Sequence, residues 1–215
     1  MQKRLVRKLD LERFLQQIEP HPSPKPSLEQ YMTPTDVAAA MLYIAAYVND
    51  DIVGKSVLDL GCGTGKLALG AAFLSAKQVV GVDVDKVAVE MAFENAVKTG
   101  LKRKVQWVAA DVSVVHGKFD TVLQNPPFGV QKRNADRVFL EKALETGKVV
   151  YSLHKKTFLA KSRVDKTFLE NFIEGHGGEI QTVYPMVMSI PHMFSFHTKR
   201  KHEFAVDLYV IKRKC

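Results

Sequence analysis

Short apolar runs alternate with amphipathic segments along most of the chain. Five runs between residues 56 and 154 have the length and β-branched content of buried strands: SVLDL, QVVGVDV, KVQWVAAD, FDTVLQ and KVVYSLH. Segments with apolar residues at helical spacing separate most of them. Strands that alternate with helices in this way predict a parallel sheet with helices on both of its faces.

The C-terminal part has a different pattern. Two β-rich stretches, EIQTVYPMVMSI and EFAVDLYVI, follow each other without a helical segment between them. Such a connection predicts an antiparallel pair at one edge of the sheet. The whole pattern therefore predicts an α/β fold with a doubly wound, mostly parallel sheet of seven strands and an antiparallel edge strand.

The N-terminal part predicts a helix and a connector. Apolar residues at Leu5, Leu9, Leu15 and Ile18 lie among lysines and arginines, which indicates a basic amphipathic helix. The next nine residues, EPHPSPKPS, contain four prolines and therefore predict an extended connector. We expect residues 1–27 to form this helix and connector, and residues 28–215 to form one globular domain.

Composition and charge indicate the class of protein, its cellular compartment and the kind of partner it binds. Hydrophobic residues make up 46% of the 215 residues and charged residues 25%, as in globular proteins. The start of the chain has no apolar signal segment, and no run approaches the roughly 20 apolar residues of a membrane span. Two cysteines give neither a disulfide framework nor metal-ligand spacing, so we expect a cytoplasmic protein without a metal site. The net charge of +8 favours a polyanionic partner, with solubility alone as the alternative.

A glycine-rich turn follows the first predicted strand of the alternating region. In DLGCGTG, Gly61, Gly63 and Gly65 allow a tight turn and a close approach of the backbone to a ligand. The next two predicted strands end in Asp83 and Asp111. Asp83 follows the glycine turn by about 20 residues, the spacing at which a carboxylate binds the ribose hydroxyls in nucleotide sites. Open α/β sheets bind ligands at the edge formed by the carboxyl ends of their strands, where these residues lie. The sequence therefore predicts a nucleotide-like cofactor.

These blocks resemble a known family. DLGCGTG, VDVD, AADV and NPPFG are similar to the motifs of class I S-adenosylmethionine-dependent methyltransferases, which have a Rossmann-like sheet. LEQYMTP, YSLHK and FHTKRKHEFAVDL resemble the small stand-alone adenine-N6 methyltransferases of ribosomal RNA. The resemblance spans residues 28–208 and implies S-adenosyl-L-methionine as cofactor, RNA as substrate and a small zinc-binding activator protein as a heterodimer partner.

The resemblance also implies a role for each motif residue. Gly61, Thr64 and Lys66 would border the methionine part of the cofactor, within the loop that also contains Gly63 and Gly65. Asp83 would hold the ribose hydroxyls, and Asp111 with Val112 would bind the adenine edge. Gln30 and Thr33 would close over the cofactor from the N-terminal side.

The motif Asn125-Pro126-Pro127-Phe128 ends the predicted strand FDTVLQ. An exocyclic aromatic amine is a poor nucleophile until its lone pair is localised and aimed at the methyl group. Two acceptors on its hydrogens, Asn125 Oδ1 and the Pro126 carbonyl, would do this, and the prolines would hold them rigidly. Phe128 would stack on the base. A tight turn with an apolar plug is the structural alternative.

Other features admit two interpretations. Basic residues in late loops, chiefly Lys132-Arg133, Lys155-Lys156 and Lys199-Arg200-Lys201, could frame a path for RNA or be solvated surface. His154 could approach the pocket or be satisfied structurally, and Phe194 and Phe196 could stack on nucleotides or pack. Cys62 and Trp107 are expected to pack in the interior.

The predicted activity is methyl transfer to the N6 amine of adenine in RNA, most directly ribosomal RNA. The same chemistry would serve adenine or cytosine in DNA or a glutamine side chain in protein, and net basicity favours nucleic acid. A non-catalytic RNA-binding assembly factor that keeps the fold is the alternative from another class. It would be expected to lack one of Asp83, Asp111 and Asn125, all of which are present.

Overall fold

The computed structural model describes residues 5–129, 134–156, 167–191 and 201–214. Seven strands form one sheet: β1 (Ser56–Leu60), β2 (Gln78–Asp83), β3 (Val105–Ala109), β4 (Phe119–Gln124), β5 (Gly147–Lys155), β6 (Gly178–Pro191) and β7 (Lys201–Arg213). Their order in space is β3-β2-β1-β4-β5-β7-β6. The predicted fold class is confirmed.

Strand direction follows the predicted pattern. Strands β1 to β5 are mutually parallel, whereas β7 runs antiparallel to both β5 and β6. One edge strand of the sheet is β6, and β7, the strand of opposite direction, lies next to it. The antiparallel pair arises because β6 and β7 follow one another without a helix that could carry the chain back.

Within the described ranges, six α-helices cover the sheet: α1 (Lys8–Leu15), α2 (Thr35–Tyr43), α3 (Lys66–Phe73), α4 (Lys86–Lys98), α5 (Ala135–Thr146) and α6 (Phe168–Gly175). Successive side chains of a strand point to opposite faces, so Val122 and Leu123 of β4 enter two separate cores. Leu123 packs in the core that contains residues of α1, α2 and α3, whereas Val122 packs in the core that contains residues of α5 and α6.

The N-terminal helix buries a different stripe from the predicted one. Leu15 and Ile18 are buried as expected, but Leu5 and Leu9 are more than half exposed. The buried face is instead completed by Leu11 and Phe14, and the Phe14 ring stacks on Phe73 with ring centroids 4.2 Å apart. Positions 11, 14, 15 and 18 have the spacing of one helical face, which explains the difference.

The strand order brings the predicted motifs to one edge. Strands β1 and β4 are neighbours in the middle of the sheet, and β2 lies on the other side of β1. Because these strands are parallel, the glycine turn after β1, Asp83 at the end of β2 and Asn125 after β4 all emerge at the carboxyl edge. This is where the chain reverses its winding direction and where open α/β sheets bind ligands.

Candidate active site

A cavity of about 370 Å³ opens at the carboxyl edge of the sheet. Such a volume is within the range of small-molecule and cofactor sites. Most of the predicted site residues line it: Gln30, Thr33, Gly61, Gly63, Thr64, Lys66, Asp83, Asp111, Val112, Asn125 and Pro127.

Three predicted site residues do not line the cavity: Gly65, Pro126 and Phe128. Gly65 has φ of 89°, and a Cβ atom on it would lie 2.6 Å from the ring of Trp107. Its lack of a side chain thus allows the loop to pack against that ring. Phe128 packs edge-on against Phe204, with ring centroids 5.6 Å apart.

The glycine turn is tied to the end of β2. Gly61 and Gly63 both have positive φ, the conformation that favours glycine. The Gly61 N–H donates to the Val82 carbonyl at 2.8 Å, and the Gly63 N–H donates to Asp83 Oδ2 at 2.8 Å. Asp83 therefore orients the loop while keeping lone pairs on its carboxylate for a ligand.

A second aspartate beyond β2 holds the segment that covers the cavity, residues 19–33, which we call the lid. Asp85 is buried and caps α4 by accepting from the Val87 N–H at 3.2 Å. Its Oδ2 atom accepts from Gln30 Nε2 at 2.9 Å and lies 3.2 Å from Lys25 Nζ. The side chain of Gln30 thus fastens the lid, and these bonds lower the pKa of Asp85 against the opposing effect of burial.

Two charged groups in the cavity have perturbed pKa values. Burial raises the pKa of Asp59 to about 7, although its bond from the Ala68 N–H at 2.9 Å opposes this, and the nearby charge of Asp83 adds to it. Burial lowers the pKa of Lys66 to about 8, and Lys66 Nζ donates to Thr35 Oγ1 at 3.3 Å. Perturbed groups of this kind concentrate in functional clefts.

Asn125 lines the cavity, and one of its side-chain atoms has no hydrogen-bond partner among the described residues. Its Nδ2 atom donates to Thr33 Oγ1 at 3.1 Å, which fixes the orientation of the amide. Its Oδ1 atom is buried and accepts no hydrogen bond from any described residue. A buried acceptor without a donor is costly unless a ligand supplies one, so this oxygen marks a binding point for an N–H or O–H group.

The sequence did not reveal several residues that shape the site. Glu29 and His21 of the lid line the cavity, and the His21 ring lies 3.3 Å from Asp85 Oδ2 without hydrogen-bond geometry. Buried Asn95 of α4 donates to the carbonyls of Thr64 at 3.0 Å and Glu19 at 3.1 Å, so one amide joins the glycine loop to the start of the lid. LEQYMTP pointed to this segment, but not to these contacts.

His154 lies in a buried polar row beside the site rather than in the cavity. Gln124 Nε2 donates to Ser152 Oγ at 2.8 Å, and Ser152 Oγ lies 2.7 Å from His154 Nε2. Burial lowers the pKa of His154 to about 4, so the ring is neutral at physiological pH. The structural interpretation of His154 is the one that these contacts support.

The described basic residues that were candidates for RNA contact lie at the surface. Lys155 at the end of β5 and Lys156 after it are exposed, as are Lys212 and Arg213 at the end of β7. Lys132, Arg133, Lys199, Arg200, Phe194 and Phe196 lie outside the described residues, as does the side chain of Lys201. Cys62 is buried, as expected, whereas Trp107 is half-buried.

The described residues contain neither a metal-binding cluster nor a membrane-spanning helix. Within residues 5–129, 134–156, 167–191 and 201–214, no cluster of three or more His, Cys, Asp or Glu side chains could hold a metal ion. No helix in this part of the chain has both the length and the apolarity needed to cross a bilayer.

The sheet order, the glycine turn and the acidic strand ends define a Rossmann-like α/β protein with a nucleotide-type cofactor site. Residues 33–151 match the methyltransferase small domain family. The chain belongs to this family, whose cofactor is S-adenosyl-L-methionine.

Similar proteins cover nearly the whole chain. The rRNA N(6)-adenosine-methyltransferase Mettl5 of Drosophila melanogaster is 38% identical over 93% of this chain and 93% of its own length. The rRNA N(6)-adenosine-methyltransferase METTL5 of Danio rerio is 34% identical over 92% of this chain and 95% of its own. The crystal structure of the "putative RNA methyltransferase PH1948" of Pyrococcus horikoshii superposes with a TM-score of 0.86 at 41% identity, covering 98% of this chain and 100% of that one.

Proposed function

We propose that the protein transfers a methyl group from S-adenosyl-L-methionine to the N6 amine of adenine in RNA, and that ribosomal RNA is the substrate. The observation that carries this proposal is the unpaired, buried Asn125 Oδ1 at the wall of the cofactor cavity. Relatives named as rRNA N6-adenosine methyltransferases, 34–38% identical over most of the chain, support the choice of substrate.

The cavity fits the cofactor on structural grounds. Asp83 retains acceptor capacity for hydroxyl groups, and Asp111 with Val112 lines the same wall for the adenine edge. The backbone of Gly61, Gly63 and Thr64 borders the part of the cavity next to Lys66. When bound, the cofactor supplies a methyl group on a positively charged sulfur.

The residues after β4 orient the acceptor. Thr33 accepts from Asn125 Nδ2 and so leaves Oδ1 for one hydrogen of the target amine. The Pro126 carbonyl would take the other hydrogen, and both prolines fix φ, so the acceptors are in place before the base arrives. Two acceptors localise the nitrogen lone pair toward the methyl carbon. The cofactor would supply the methyl carbon, whose bond to sulfur would break as its bond to nitrogen formed, and the surplus amine proton would pass to water.

The acceptor amine must leave any base stack to reach this turn. Phe128 would contribute stacking, worth about 1–3 kcal/mol per base in single-strand binding sites. The exposed Lys155 and Lys156 at the carboxyl end of β5 support binding of a polyanion at this edge of the sheet. The alternatives are methylation of DNA bases and methylation of glutamine in protein, and the assay described next distinguishes them.

The test is an assay with labelled cofactor and separate pools of ribosomal RNA, transfer RNA, DNA and protein. We expect label in ribosomal RNA and, after digestion, N6-methyladenosine as the labelled nucleoside. Label in another pool would contradict the substrate. Cofactor binding without transfer to any pool would favour an assembly factor that keeps the fold.

Asn125→Ala tests the role of the turn. We expect transfer to fall by about 100-fold or more, the loss typical when one preorganised transition-state contact is removed, while cofactor affinity is retained. Asn171→Ala, at an exposed position of α6, is the matched control and should keep the parent rate. Transfer by Asn125→Ala at the parent rate would contradict the acceptor role.

We also propose that a small zinc-binding activator protein docks along β3, and that both proteins work in the cytoplasm. Within the described sheet, β3 has a neighbour on one side only, and Val108 and Ala109 are exposed on it. Val114 nearby along the chain is also more than half exposed. An unpaired, apolar strand edge suits addition of a partner strand. Size-exclusion chromatography of the mixture should give a 1:1 complex that Val108→Glu weakens, and an unaffected complex would place the partner elsewhere.

A further inference from the structure

The lid is hydrogen-bonded to the turn after β4 at two points. The carboxylate of Glu29 accepts from the Phe128 N–H at 2.7 Å, and Thr33 Oγ1 accepts from Asn125 Nδ2 at 3.1 Å. Glu29 is buried, so this bond is shielded from competing water. The lid therefore contacts both the first and the last residue of the turn, Asn125 and Phe128.

The bond between Glu29 and the Phe128 N–H is placed where it can restrain the whole turn. Pro126 and Pro127 have no N–H group, so the Phe128 N–H is the first backbone donor after Asn125. A carboxylate acceptor makes a stronger hydrogen bond than a neutral one. Fixing this donor restrains the segment that carries both proposed acceptors for the amine.

The same lid is attached to the cofactor side of the cavity. Gln30, next to Glu29, donates to Asp85 Oδ2 at 2.9 Å, and the Asp85 N–H donates to Asp83 Oδ1 at 2.9 Å. Glu29 itself has φ of 50°, a left-handed conformation that turns the chain between its two attachments. A continuous set of contacts thus runs from Asp83, the residue proposed to bind the ribose, to the turn after β4.

We propose that Glu29 is a positioning residue that transmits closure of the lid over the cofactor to the Asn125–Phe128 turn, so that bound cofactor orders the site for the amine. The proposal rests on the assigned role of Asn125 for its effect on rate. It does not rest on that role for its effect on the Phe128 amide. Glu29 binds the turn through the Phe128 N–H, so we expect it to act on the acceptor atoms through the turn.

The direct test follows the Phe128 amide. Labelling with ¹⁵N-phenylalanine gives at most 12 backbone signals, and Phe128→Tyr identifies the one of interest. We expect S-adenosylhomocysteine, which has no methyl group to transfer, to slow hydrogen exchange of this amide tenfold or more in the parent. Glu29→Ala should abolish the slowing, Glu29→Gln should retain it, and Glu179→Ala, at an exposed position of β6, should match the parent.

Kinetics supply the second readout. We expect Glu29→Ala to lower kcat about tenfold or more, while cofactor Kd changes less than threefold and Glu29→Gln restores most of the rate. A loss of cofactor affinity as large as the loss of kcat would overturn the proposal, because Glu29 would then be a cofactor ligand. Unchanged Phe128 protection in Glu29→Ala would overturn it as well.

Folding and function are separated within the same set of variants. If Glu29→Ala does not fold, Glu29→Asp carries the test, since it keeps the charge but withdraws the carboxylate from the Phe128 N–H; it should behave as predicted for alanine. If no RNA is methylated, the proposed function fails, while the Phe128 amide still shows whether Glu29 couples cofactor to turn.

Discussion

The buried carboxylate of Asp59 makes stability depend on pH in a predictable direction. Its pKa is raised from 3.8 to about 7, chiefly by burial. Between these values the folded protein holds a proton that the unfolded chain has released. The free energy of unfolding therefore falls as pH rises from about 4 to about 7, by about 4 kcal/mol at 1.36 kcal/mol per pH unit.

Asp59→Asn removes this ionisation and keeps an oxygen that can accept from the Ala68 N–H. Urea unfolding of parent and variant at pH values from 4 to 8 measures the difference. We expect the variant to gain about 4 kcal/mol relative to the parent across this range, with the gain complete slightly above pH 7.

A matched substitution isolates the effect of burial. Asp136→Asn in the first turn of α5 changes the same side chain at a position that does not line the cavity. This variant shows what the loss of one carboxylate outside the cavity does to the pH profile. Parallel profiles for Asp59→Asn and the parent would refute the reasoning, because they would show that Asp59 ionises alike in both states.

Three further outcomes are expected. Since burial lowers the pKa of His154 from 6.5 to about 4, protonation favours the unfolded chain, and the parent should lose about 3 kcal/mol as pH falls through this window. His154→Asn should lack that loss in urea titrations; an equal acid slope would show that His154 is already protonated when folded. Gly81→Ala places a Cβ atom 2.5 Å from the Trp107 ring and should cost about 1–3 kcal/mol by thermal unfolding. Gly175→Ala in α6 meets no atom within 4 Å and should be neutral or slightly stabilising; equal costs at both glycines would contradict the packing argument.

The elements with strong local signals could be predicted from the sequence. FDTVLQ coincides with β4, because an apolar run bounded by Gly117 and by two prolines has clear limits. The glycine turn, Asp83 at the end of β2 and Asp111 shortly after β3 also follow from local sequence. Parallel pairing then places them at one edge without further information.

The contacts of the lid could not be predicted, because they join residues far apart in sequence. Glu29 meets Phe128 across 99 positions, and Asn95 meets Glu19 across 76. A hydrophobic pattern does not indicate which distant backbone group a glutamate or an asparagine will contact. The same holds for Gln30, which was predicted to close over the cofactor and whose side chain binds Asp85.

The amide of Asn95 has a consequence for how spent cofactor leaves between reaction cycles. It holds both the carbonyl and the N–H of Glu19 and also the loop at Thr64, so that end of the covering segment is anchored to the floor of the pocket. The opposite attachment, at Asp85, includes Lys25, whose side chain is half exposed to water. We expect the segment to stay attached at Glu19 and to open around Lys25, so that molecules enter and leave there.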